Sequence, residues 1–107
     1  MNAKEIAGAL VFDSCVSDPE ANTNSYYFNA VNAEQAAAII NQFYHDDGFE
    51  FVGCSICIDE NATNRCVDTA YLIPHIMEDG EVMELFPVTV KLENKLIRLL
   101  QKKASEN

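Results

Sequence analysis

Between Ala33 and Asp46 the apolar positions fall three and four residues apart: Ala36, Ile39, Ile40 and Phe43, flanked by Ala37 and Tyr44. That spacing is one face of an α-helix. Asn32 is an N-cap residue, and Gln35 three positions on completes a capping-box pattern. Glu34 suits the positive end, Asn41 and His45 fall on the outer face, and Gly48 supplies a stop. Asp46 and Asp47 run against the pattern, because acidic charge at a helix C-terminus costs about 0.3–1 kcal/mol each. A second stripe, Val88, Leu92, Leu96, Leu99 and Leu100, predicts a last helix opened by Pro87 and running to about Lys103, with residues 104–107 frayed.

Elsewhere the period is two. A strand at about residues 9–16 follows a short helical turn, and Ser17 to Asn24 has the composition of a loop. Ser25 to Val31 is aromatic-rich and strand-forming, and its alternation turns one of Tyr26 and Tyr27 outward. Phe49 to Ile58 is apolar on both faces, which suits a central strand. Arg65 to about Ile73 returns after a polar turn, and Pro74 predicts an end, a bulge or an edge there. Asp79-Gly80 is a two-residue hairpin signal, pairing 75–77 with a short strand from Glu81 to Phe86.

The resulting order is β-β-α-β-β-β-α. The fold class is α+β: a single antiparallel-rich sheet of about four to five strands, with two helices packed on one face. At 107 residues, one domain covers 1–107.

Charge changes this picture more than composition does. The formal net charge is −10, and it is unevenly spread. Between Glu5 and Asn64 there is no Lys or Arg, whereas Lys91, Lys95, Arg98, Lys102 and Lys103 face only Glu93 and Glu106 beyond Val90. Direct nucleic-acid binding needs clustered bases, so neither nucleic acid nor an anionic membrane is an expected partner. A basic protein surface is. No apolar run approaches the roughly 20 residues of a membrane span. Asp13 closes the early IAGALVF run, which is read as part of the fold rather than as a signal peptide, and the expected compartment is the cytoplasm.

Cys54, Cys57, Cys66 and His75 form a candidate zinc set, since thiolates and imidazole are good tetrahedral ligands. Strand alternation puts Cys54 and Cys57 on opposite faces, which favours buried free thiols instead. A Cys57–Cys66 bridge fits the spacing but not a reducing compartment. Asp59, Asn61 and Thr63 imitate a calcium loop, which fails at Asn64 and Ala70 where Gly and Glu are required. There is no phosphate-binding loop, dinucleotide fingerprint or nucleophile elbow, so no enzyme, catalytic residue or cofactor is expected.

The leading expectation is a small acidic protein-binding module, a stoichiometric inhibitor or adaptor. Its candidate contacts are Asp46, Asp47, Asp59, Glu60, Glu78, Asp79, Glu81 and Glu84, which can form charge-assisted pairs with Arg. Occlusion of a nucleic-acid-binding site, as phage-encoded antagonists of bacterial defence achieve it, is an analogy of class. The zinc- or small-ligand-binding domain is the alternative. A homodimer, with the basic last helix on the acidic body of a second copy, is a further expectation.

Overall fold

In the computed structural model, which describes residues 1–62 and 69–106, the chain runs α1 (Ala3–Gly8), β1 (Leu10–Asp18), β2 (Thr23–Ala30), α2 (Ala33–Phe43), β3 (Phe51–Asp59), β4 (Thr69–Glu78), β5 (Glu81–Glu84), β6 (Val88–Lys91) and α3 (Asn94–Ser105). The strands form one antiparallel sheet in the order β1-β2-β3-β4-β5, with β6 also pairing β4. The sheet curls into a half-barrel.

Register explains why one face is buried. Phe12, Phe28, Ile56, Leu72 and Val88 lie opposite one another across five strands, and Tyr26 opposes Ile58. Directly paired residues share a face. Phe28, Ile56 and Leu72 are fully buried in the core with Ala36, Ile39 and Ile40 of α2 and Leu96, Ile97 and Leu100 of α3. Each such side chain contributes about 1.5–3 kcal/mol by leaving water. Phe12 meets Phe28 edge-on at 5.7 Å. The small α1 adds Ala3, Ile6 and Ala7 to the same cluster and packs against α3. Lys103 of α3 donates to the carbonyl oxygens of Ala7 and Leu10, joining the last helix to the first turn of the fold.

The α+β class, the single antiparallel sheet and the helices on one of its faces are as expected from the sequence. Several details differ. Among the described residues there are three helices, because Asn2 and Glu5 cap α1 reciprocally, Asn2 Oδ1 accepting from Glu5 N at 2.8 Å. Pro87 does not open the last helix. Val88–Lys91 alternates with β-branched residues and pairs β4, and α3 begins only at Asn94. Ala104 and Ser105 are helical rather than frayed, Ala104 packing against the core. The helix α2 stops at Phe43, because Tyr44 turns extended and stacks edge-on against Phe51 at 6.2 Å. Asp46 and Asp47 therefore lie beyond the helix. Asp46 Oδ1 instead accepts from Gly48 N at 2.8 Å in a side-chain-capped turn, so the expected dipole conflict does not arise.

Pro74 does not end β4. It lies opposite Cys54, and its carbonyl oxygen accepts from Leu85 N at 2.9 Å. In a strand the N–H and C=O of one residue point to the same side, so the missing donor of Pro74 falls between β5, which pairs residues 75–78, and β6, which pairs residues 69–72. The proline is accommodated by a gap in the neighbouring strand. The expected start of this strand at Arg65 lies outside the described residues.

Candidate functional site

Among the described residues, the opposite face of the sheet carries no helix. Register assigns to it Val11, Ser14, Val16 and Asp18 of β1, Ser25, Tyr27 and Asn29 of β2, and Gly53, Ser55, Cys57 and Asp59 of β3. Tyr71, Ile73, His75 and Met77 of β4, Val82 and Glu84 of β5, and Thr89 and Lys91 of β6 continue it. Val11, Val16, Tyr71, Met77 and Val82 are exposed large apolar residues, and Phe86 between β5 and β6 is 93% exposed. Lys91 is the one Lys or Arg among the described strand residues of this face.

The curl of the sheet makes part of this face a trough of about 320 Å³. It is lined by Asp13, Ser14, Val16, Tyr27, Asn29, Ser55, Ile73, His75 and Glu84. A β-bulge between Phe12 and Ser14 puts an extra residue in β1, so Asp13 and Ser14 both reach the open side. The floor is polar and hydrogen-bonded. Ser55, only 7% exposed, donates from Oγ to Asn29 Oδ1 at 2.6 Å, and its Oγ lies 3.2 Å from His75 Nε2. Glu84 Oε1 stands 3.6 Å from the same nitrogen. His75 Nδ1 faces Gly53, where an added Cβ would approach it to 3.1 Å. The ring is thus held from both sides.

A serine, a histidine and a carboxylate invite comparison with a nucleophile–base relay. The geometry differs from one: Ser55 and Glu84 both approach Nε2, whereas a relay has the carboxylate on the other ring nitrogen. Ser55 gives its proton to Asn29, so it accepts from the ring. The arrangement orders acceptors around a concave surface.

Cys57 and Tyr27 are register partners beside the trough. The Tyr27 phenol is pushed up by its hydrogen bond to Cys57, by the thiolate charge that site can carry, and by burial. Burial pushes the Cys57 thiol up, against the opposing effect of hydrogen bonds from Tyr27 and Ser25. Cys54 lies on the other face, in the core, where burial pushes its thiol up to about 12. Cys54 and Cys57 therefore cannot converge on one zinc ion, as strand alternation requires. Cys66 lies outside the described residues. Among the described residues, no group of three His, Cys, Asp or Glu side chains is placed to hold a metal ion.

The eight acidic candidates occupy three places. Glu78 opposes Glu81 across the Asp79-Gly80 turn, at the end of the sheet where Met77 N donates to Glu50 O. Asp46 and Asp47 precede this end in the chain. Asp59 and Glu60 lie at the other end of β3, roughly 25 Å away along a nine-residue strand. They are held there by Ser25, which donates to Asp59 at 2.9 Å, and by Asn24, which donates to Glu60 at 2.9 Å. Glu84 alone lines the trough. Asp13, Asn29 and Ser55 were not among the residues expected from the sequence. Period two in β2 and β3 puts Asn29 and Ser55 at outward positions, but only the pairing register joins them to His75.

Among the described residues, no helix is long and apolar enough to cross a membrane. Comparison of the chain with protein-family models, curated proteins and solved structures gives no match.

Proposed function

We propose that this protein is a stoichiometric protein-binding module that presents the open face of its sheet to a basic protein surface. One observation carries the reading. A face that carries no helix among the described residues combines exposed Val11, Val16, Tyr71, Met77 and Val82 with Asp13, Asp18, Asp59 and Glu84. Exposed apolar side chains clustered on one face, with charge around them, are a common form of interaction surface. The acidic hairpin tip at Glu78, Asp79 and Glu81 extends the same sign of charge beyond the sheet. A nucleic-acid-binding protein is the partner class that such a surface suits, because its own binding site is basic. Binding of this kind inhibits by occlusion and requires no chemistry of the module.

The test is affinity capture from a native lysate at low and high salt, comparing the protein with a Val16→Glu/Tyr71→Glu variant and with a Glu78→Lys/Asp79→Lys variant. Capture of one basic protein that weakens with salt and is lost in the face variant supports the reading. Capture unchanged by both variants refutes it.

A further inference from the structure

We propose that the trough on the open face is the anchor pocket for an arginine side chain of the partner. This deepens, and rests on, the protein-binding reading above. The trough's carboxylates come from separated strands, Asp13 from the bulge of β1 and Glu84 from β5. Between them the floor offers the side-chain oxygens of Asn29 and Ser55, already fixed by their mutual hydrogen bond. His75 is the one basic side chain among the described residues of the lining, and it is committed to Ser55 and Glu84. Among the described residues, no Lys or Arg neutralises the two acids from within the lining.

These features select a guanidinium over other cations. Its five donors lie in one rigid plane and can meet acceptors spread across a floor and two walls, whereas an ammonium is a compact point charge. Val16, Ile73 and the Tyr27 ring supply apolar surface for the methylene stem. The volume of about 320 Å³ sits at the small end of ligand pockets, roughly 300–1,000 Å³, and suits one side chain rather than a larger ligand. The bulge at Asp13 is the independent sign of construction. Without its extra residue, regular alternation would turn Ser14 and not Asp13 away from the trough, and Val16 would follow it to the helix side.

The experiment is a backbone and side-chain amide NMR titration of the full chain with the blocked peptide acetyl-Gly-Arg-Gly-amide, its citrulline counterpart and free L-arginine. At ~10 mM peptide, above the millimolar Kd expected of a single anchored side chain, shifts should centre on Asn29, Ser55, Ile73 and Glu84. Citrulline, which lacks the charge, should leave them unmoved. Free arginine, with the same guanidinium and the same net charge as the blocked peptide, should shift the same residues. Glu84→Gln and Asp13→Asn should each weaken the peptide about tenfold, as expected for loss of a charge-assisted hydrogen bond. Asp79→Asn at the hairpin tip should not.

Absence of shifts at the trough overturns the proposal. So do equal shifts with citrulline, or shifts spread evenly over all acidic positions. Each of these outcomes leaves the protein-binding reading to its own capture test, which uses different variants.

Discussion

The ammonium of Lys103, near the end of α3, donates to the carbonyl oxygen of Leu10 at the start of β1. It also donates to Ala7 at the end of α1, where a helix leaves carbonyls without partners of their own. One side chain thus closes contacts between residues more than ninety positions apart in the chain. Lys103→Met keeps the apolar stem and removes the donors. It should lower stability by about 1–3 kcal/mol, the range for hydrogen bonds to a charged group, read as a lower urea midpoint. An unchanged midpoint would show that water replaces the ammonium at no cost.

The turn between β4 and β5 has both central residues in the left-handed region, Asp79 at φ 51° and Gly80 at φ 79°. Glycine tolerates this, and Asp does so better than most residues. Gly80→Ala should therefore cost about 1 kcal/mol or more in thermal or chemical unfolding. Asp79→Asn should cost almost nothing, since Asn accepts the same backbone angles. The second variant removes a charge from the tip without disturbing the hairpin, which makes it a fair control for electrostatic tests.

Gly53 leaves room for the His75 ring. A Cβ there would come within 3.1 Å of Nδ1 and 3.6 Å of the histidine Cβ, so the contact is with the rigid part of the side chain. Gly53→Ala should destabilise by about 1–2 kcal/mol through overpacking and shift the His75 ring resonances as the ring moves from Ser55. In the background of His75→Ala the same substitution should lose most of its cost, a coupling measurable in a double-mutant cycle. Equal costs in both backgrounds would place the strain elsewhere.

Alkali should unfold the protein by a route that Cys54 dominates. Its thiol ionises near 9.0 in the unfolded chain and only near 12 in the fold, where burial penalises the thiolate. The raised native value means that the unfolded chain releases its proton first. Stability from this group is complete below pH 9 and falls between pH 9 and about 12, by about 1.4 kcal/mol per pH unit. Cys57, Tyr26 and Tyr27 are raised in the same direction and add to the slope. Urea midpoints measured across this range should fall less steeply for Cys54→Ala. Parallel slopes for the two proteins would assign the loss to the other groups. Alkylation at neutral pH, mapped by peptide, should modify exposed Cys15 well before buried Cys54.

The parts of the fold written in local pattern were legible. The α2 stripe, with Asn32 accepting from Gln35 N at 2.8 Å, and the doubly apolar β3 at the sheet centre follow from spacing and caps alone. The Asp79-Gly80 turn follows from backbone freedom. Val88 to Lys91 was misread because Val88 and Leu92 stand four apart, as in a helix, while the shorter alternation of Val88 and Val90 is what burial against β4 uses. Pro74 was misread because a proline's compatibility depends on what lies beside its strand. The trough was illegible for a different reason. Asn29, Ser55, His75 and Glu84 come from four strands, and only long-range register aligns them. Ser14 and Val16 join them through a bulge that no local signal marks.

The gap beside Pro74 has a consequence for crowded conditions. It divides the far border of the sheet between two four-residue strands, while the bulge at Asp13 interrupts the nine-residue β1 on the other border. Strand-on-strand growth, as in fibrils or swapped oligomers, needs a long regular border to copy. This sheet offers none on either side among the described residues. Short and interrupted borders of this kind leave an incoming strand little to copy, although the face between them is apolar.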